Sequence, residues 1–158
     1  MSRPRLTYDA FAKIAPVAQQ SLIAMGKQAD ESGIDKQIIE LVKLRISQLN
    51  NCAFCLQIHL NVSRKLGLPQ EKLDLVATWE EAGIFSEREC AALAWAETLT
   101  RLVGHSVPDA AYEAVRRHFS EEEVTFLSVS IATINAWNRL GAAFRFAPPI
   151  LKAAKAAA

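Results

Sequence analysis

The chain is expected to fold as an all-α protein, and three features of its 158 residues predict that class. Apolar residues recur at helical spacing through most of the length. Strand-like alternation is scarce, and no Asn-Gly or Asp-Gly hairpin turn occurs. Two stretches, Ser86-Glu87-Arg88-Glu89 and Ser120-Glu121-Glu122-Glu123, carry the capping-box pattern that starts helices.

The elements follow in order. After a short N-terminal segment, residues 16–30 are rich in alanine and glutamine, with Leu22, Ile23 and Met25 clustered. Pro16 suits a first helical turn, and Glu31-Ser32-Gly33 breaks the pattern. From Asp35, the residues Ile38, Ile39, Leu41, Val42, Leu44, Ile46 and Leu49 form a broad helical stripe that ends near Asn50-Asn51. A further helix starts around Cys52 and runs to Lys65, closed by Gly67-Leu68-Pro69. Leu73, Leu75, Val76 and Trp79 continue the helical spacing as far as Gly83. The first capping box precedes a helix over 90–103, and the second a long apolar one over 124–140, with a shorter amphipathic helix over 108–118 between them. Pro148-Pro149 ends the ordered part, and the residues from Lys152 to the end are expected to fray. With no linker and no repeat, residues 1–158 read as a single domain whose 1–14 and 150–158 are peripheral.

The long helix over 124–140 is apolar on several faces, which predicts packing against a second subunit. A formal net charge of +1 gives no electrostatic footprint for nucleic acid or an anionic membrane. No apolar run approaches the ~20 residues that span a bilayer. No apolar h-region follows Arg3 and Arg5, so the chain reads as cytoplasmic. In that compartment cysteines stay reduced, and a close pair points to catalysis or metal binding.

The stretch with the most chemistry is ELVKLRISQLNNCAFCLQIH, from Glu40 to His59. Cys52 and Cys55 lie three residues apart, on one helical face and within disulfide reach if the first turn relaxes slightly. At a helix start, unpaired amides and the positive end of the dipole stabilise a thiolate. His59, one turn beyond Cys55, can take or return a thiol proton near neutral pH. Glu40, on the preceding helix, can be brought to the imidazole by a helix–turn–helix return, where it orients the ring. The four residues could also supply zinc ligands, but structural zinc sites rarely use Glu and no second Cys-x-x-C occurs, so no metal is expected. Elsewhere, Cys90 reads as a small buried hydrophobe, and His105 and His118 receive no role. Among Trp79, Trp95 and Trp137, the last has the best claim to line a pocket.

The spacing Glu-x11-Cys-x2-Cys-x3-His resembles the AhpD-like alkylhydroperoxidase branch of the carboxymuconolactone decarboxylase superfamily. The flanking stretches 45–51 (RISQLNN) and 94–100 (AWAETLT) resemble it too, and the likeness covers roughly residues 35–103. The resemblance implies a compact helical fold with the Cys-x-x-C at a helix N-terminus, homo-oligomers (trimers or hexamers), and thiol-dependent reduction of hydroperoxides or disulfide cycling. It also implies that Cys55 attacks peroxide, that Cys52 resolves the sulfenic acid, and that His59 and Glu40 relay protons. The dipole argument taken alone favours Cys52 as the lower-pKa thiol, and Cys52 is expected to be the more accessible sulfur. Some peroxidase members have a histidine inside the Cys-x-x-C; here Ala53-Phe54 makes the surroundings more apolar. No nicotinamide or flavin motif is present, so no cofactor is expected, and electrons would come from an external dithiol or a lipoyl-like protein. The competing readings are a carboxymuconolactone decarboxylase-like enzyme, which needs no cysteine pair, and a non-redox metal-binding or oligomeric helical protein.

Overall fold

A computed structural model describes residues 3–150, and among them every regular element is helical. The order is α1 (Tyr8–Ile14), α2 (Pro16–Asp30), α3 (Lys36–Leu49), α4 (Ala53–Lys65) and α5 (Gln70–Leu75), followed by a 3-10 turn (Val76–Thr78). Then come α6 (Trp79–Ala82), α7 (Glu87–Thr100), α8 (Asp109–Arg116) and α9 (Glu121–Phe144). No helix among the described residues is long and apolar enough to cross a membrane. Residues 151–158, for which fraying is expected, lie outside the described residues.

Local chemistry accounts for most of these boundaries. Asp35 caps α3 by accepting the Gln37 N–H, and both capping boxes are present with hydroxyl and carboxylate bonds made. Gly83, at φ 65, ends α6 in the left-handed region that glycine enters without a Cβ penalty. The stretch read as continuous helix up to Gly83 is in fact three short pieces, α5, the 3-10 turn and α6. The segment expected to be a peripheral lead-in forms α1, capped by Thr7, and buries Phe11.

α3 is the central element. It packs against α4, α7 and α9, and its apolar positions serve two cores. Ile38, Ile39, Val42 and Ile46 join Trp95, Leu127, Ile131 and Ile134, while Leu41 and Leu44 join Leu68, Leu73, Val76 and Leu93. A helix buried on two faces explains why its stripe is so broad in sequence. Leu44 and Ile46 are fully buried, positions where truncation to Ala typically costs about 2–5 kcal/mol. α9 contacts α2, α3, α4, α7 and α8. Its apolar faces are therefore covered from within the chain, and the ground on which a second subunit was expected there falls away. Large apolar side chains are instead exposed on α1 and α2, at Ile14, Val17, Ile23 and Met25.

Candidate active site

The junction of α3 and α4 places the two sulfurs. Asn51, at φ 52, adopts the left-handed conformation that asparagine tolerates better than other side chains. The Asn51 N–H then bonds the Gln48 carbonyl at 3.1 Å and the Cys52 N–H bonds the Ser47 carbonyl at 3.0 Å, which is the Schellman ending of a helix. Cys52 thus closes α3 and caps α4 at once. Its Sγ accepts the Cys55 backbone N–H at 3.4 Å, the place a Ser or Asp oxygen usually takes.

The sulfurs of Cys52 and Cys55 lie 2.7 Å apart as free thiols, and both residues are 2% exposed. Cys52, expected to be the more accessible, is as buried as its partner, and it is Cys55 that lines a cavity. The Cys55 thiol, donating to the Cys52 sulfur, is the largest influence on Cys52 and lowers its pKa to about 7, against the opposing effect of burial. The Cys55 and Phe54 backbone amides and the Asn138 side chain add to the lowering. Cys55 is pushed up, first by its hydrogen bond to Cys52 and then by burial. Of the two sulfurs, Cys52 is therefore the more readily ionised, and Cys55 the one that holds its proton.

His59 and Glu40 meet across the α3–α4 return, with His59 Nδ1 and Glu40 Oε2 2.7 Å apart. Glu40 is only 5% exposed, and burial alone would raise its pKa. Hydrogen bonds and charge from His59 and Lys43 outweigh that and hold the carboxyl below the usual carboxylate range. Lys43 Nζ reaches Glu40 Oε1 at 3.2 Å and Asp30 Oδ1, at the end of α2, at 2.7 Å. All four residues expected from the sequence are thus brought into one neighbourhood.

A cavity of about 660 Å³ opens over this group, within the range that holds drug-sized ligands. Cys55, His59, Lys43 and Asp30 line its polar side, and Phe54, Ile58, Ile134, Trp137, Leu22 and Tyr8 its apolar walls. Trp137 lines the pocket, as its place on α9 led us to expect. Phe54 stacks on Tyr8 at 5.5 Å and meets Phe146 edge-on at 5.2 Å. The buried Ser130 hydroxyl, also on the lining, has no hydrogen-bond partner among the described residues.

Several contributors were not found by sequence reasoning. Lys43 sits three residues after Glu40, a helical ion-pair spacing that could have identified it. Tyr8 and Asp30 carried no such signal. Asn138, 1% exposed, accepts from Asn50 Nδ2 at 2.9 Å and donates to Ser47 Oγ at 3.3 Å, so its amide is held in place beneath the thiols. Gly141 leaves room for the sulfurs, since a Cβ there would lie 2.7 Å from Cys52 Sγ and 3.6 Å from Cys55 Sγ. Cys90 is half-buried and its thiol donates to the Phe85 carbonyl at 3.8 Å, away from the cysteine pair. The stretches 45–51 and 94–100 meet where Arg45 Nε donates to Glu97 at 2.6 Å, with Trp79 and Arg101 also on that carboxylate. This network locks α7 to α3. No cluster of three His, Cys, Asp or Glu among the described residues is arranged to hold a metal ion.

The class these features define is a helical dithiol protein whose cysteine pair sits beneath an apolar cavity. Comparison with known proteins narrows it. Residues 16–98 match the carboxymuconolactone decarboxylase family. The uncharacterized protein YdfG of Bacillus subtilis is 36% identical over 134 residues, 85% of this chain and 91% of YdfG. A protein of unknown function from Agrobacterium tumefaciens, proposed to be the antioxidant defence protein AhpD, superposes with a TM-score of 0.87 at 36% identity. The match covers 94% of this chain and 100% of that one. An uncharacterized peroxidase-related protein from Ralstonia eutropha, an alkylhydroperoxidase AhpD core, shares the fold at TM-score 0.76 and 23% identity, over 88% of this chain and 74% of its own. The chain belongs to the carboxymuconolactone decarboxylase family, and its all-helical fold is AhpD-like.

Proposed function

We propose that the protein is a thiol-dependent reductase of organic hydroperoxides that cycles Cys52 and Cys55 between dithiol and disulfide. The observation that carries this reading is the pair itself: two free sulfurs at contact distance, one of low pKa, beneath an apolar cavity with a histidine–glutamate couple beside it. The likeness to the Agrobacterium protein, proposed to act in antioxidant defence, supports the same chemistry.

In this reading Cys55 attacks, because it is the sulfur on the cavity. Its proton shifts to Cys52 across the 2.7 Å contact as its sulfur attacks one peroxide oxygen. The O–O bond breaks, Cys55 becomes a sulfenic acid, and the departing alkoxide takes a proton relayed from solvent by His59. Cys52 then attacks the Cys55 sulfur. The S–O bond breaks, and the hydroxide leaves as water with the Cys52 proton. An external dithiol, free or lipoyl-like, reduces the disulfide by exchange and is itself oxidised. The apolar walls favour an organic hydroperoxide over hydrogen peroxide. A homo-oligomer, trimer or hexamer, belongs to the same proposal, supported by the apolar side chains exposed on α1 and α2.

A peroxidase assay with tert-butyl, cumene and hydrogen peroxide against a panel of dithiol donors tests the function. Turnover with the organic substrates, lost in Cys52→Ser and Cys55→Ser, is expected. No turnover with any donor, or turnover that survives both substitutions, would overturn it. The attack order is read separately by trapping sulfenic acid. Cys52→Ser should still form it, whereas sulfenic acid in Cys55→Ser alone reverses the two roles.

A further inference from the structure

We infer that Lys43, tied down by Asp30, is a positioning residue that keeps Glu40 ionised while His59 is neutral, so that His59 can act as a base on the thiol pair. The inference rests on reading Cys52 and Cys55 as the reactive pair, and it concerns residues that the Glu-x11-Cys-x2-Cys-x3-His pattern does not specify.

A carboxylate as buried as that of Glu40, 6% exposed at its side chain, is costly unless a positive charge faces it. If His59 were its sole partner, that charge would have to be an imidazolium, or else the carboxylate would take up the proton. An imidazolium has no lone pair with which to accept a thiol proton. The two acid–base groups would then hold each other in an unproductive state. Lys43 removes the conflict by placing an ammonium, 9% exposed at its side chain, on the other carboxylate oxygen, 3.2 Å from Oε1. Oε2 is left to accept the Nδ1–H of a neutral His59 at 2.7 Å. That fixes the tautomer and leaves the Nε2 lone pair free. Asp30, 44% exposed at its side chain and 2.7 Å from Lys43 Nζ, anchors the ammonium at the cavity rim.

The other titratable or charged groups around the couple are few. Cys55 on α4 and Tyr8 on α1 line the same cavity. Lys27 on α2 lines it too, but is exposed and pairs with Glu31 at 3.6 Å. α9 presents Ser130, Thr133, Ile134 and Trp137 to the cavity, none of which carries charge. Lys43 and Asp30 are thus the charges that set the couple's balance, and they act with opposite signs.

The test is the titration of His59 followed through its imidazole C–H signals by NMR, assigned by comparison with His59→Gln, which needs neither a peroxide nor a reductant. Lys43→Met should raise the His59 midpoint by about one unit or more, because the buried carboxylate then draws its positive charge from the imidazole. Lys43→Arg should restore most of the wild-type midpoint. With Glu40→Gln already in place, Lys43→Met should raise the midpoint much less, because the lysine acts mainly through that carboxylate. No rise in Lys43→Met, or an equal rise in the Glu40→Gln background, would each overturn the inference. If Lys43→Met does not fold, Lys43→Gln, which also removes the charge, is read by the same two outcomes. Because the titration is read without turnover, failure of the peroxidase reading leaves this result interpretable, and the reverse also holds.

Discussion

At Cys52 a side chain that rarely caps helices does so, its sulfur accepting the Cys55 N–H where a Ser or Asp oxygen usually stands. The Cys55 thiol is the largest influence that lowers Cys52, to about 7, so Cys55→Ala should move the midpoint of Cys52 alkylation upward, toward the ordinary thiol value near ~8.5. A midpoint that stays put would show that the helix amides and Asn138 suffice. His59→Ala should slow oxidation of the pair on the order of 10²-fold, the lower end of general acid–base contributions, measured by single-turnover loss of thiols. At this scale the sequence was informative where residues share a helix or a fixed return. Cys52, Cys55, His59 and Glu40 were found because helical spacing and one turn determine their proximity. Asp30, Asn138 and Gly141 were not, because they reach the sulfurs and the couple from α2 and α9, and nothing local in sequence encodes that approach.

Among elements, α9 has two separable duties. Its N-terminus is fixed by the Ser120–Glu123 capping box, and Ser120→Ala should cost about 1 kcal/mol in a denaturant melt without altering thiol reactivity. Its far end supplies the clearance at Gly141. Gly141→Ala places a methyl 2.7 Å from Cys52 Sγ, so the sulfur pair must shift. We expect it to destabilise the fold by about 1–3 kcal/mol and also to change the alkylation midpoint, a double effect that Ser120→Ala should lack. Equal thiol behaviour in the two variants would argue against the clearance role. Helix starts were legible at Asp35, Ser86 and Ser120, where a side-chain cap precedes several turns of apolar spacing. α1 was missed because a seven-residue helix shows barely two turns of periodicity, and its purpose, seating Tyr8 and Phe11 among Phe54, Trp137, Phe144 and Phe146, is tertiary. The segment before Gly83 read as one helix because apolar spacing persists through the 3-10 turn, although the hydrogen-bond pattern changes there.

For the whole molecule, acid should be destabilising in a predictable window. Glu40, Glu89 and Glu97 are pushed up by burial but held lower still by their Lys, Arg, His, Trp and backbone partners, and Glu123 is lowered first by the Ser120 amide. Groups depressed in the fold contribute stability that is complete above their unfolded values, near about 4.3, and lost as pH falls through the folded ones. The melting temperature should therefore drop between about pH 5 and pH 3, and a flat profile there would contradict the assigned ion pairs. The proposed assembly predicts elution well above the 17.4 kDa of one chain, and a monomer at micromolar concentration would refute it. Fold class was legible because helical periodicity spans the chain. Oligomerisation was argued from α9, whose burial the chain itself accounts for, since a sequence does not say which neighbour covers an apolar face. The central claim, that Cys52 and Cys55 form a working redox pair, is tested most directly by counting thiols by mass spectrometry before and after one equivalent of cumene hydroperoxide, then after a dithiol. The account predicts that three free thiols become one, with a peptide linking Cys52 to Cys55 and Cys90 unchanged, and that all three return on reduction. Three thiols persisting after peroxide, or oxidation that leaves Cys52 and Cys55 unlinked, would contradict it.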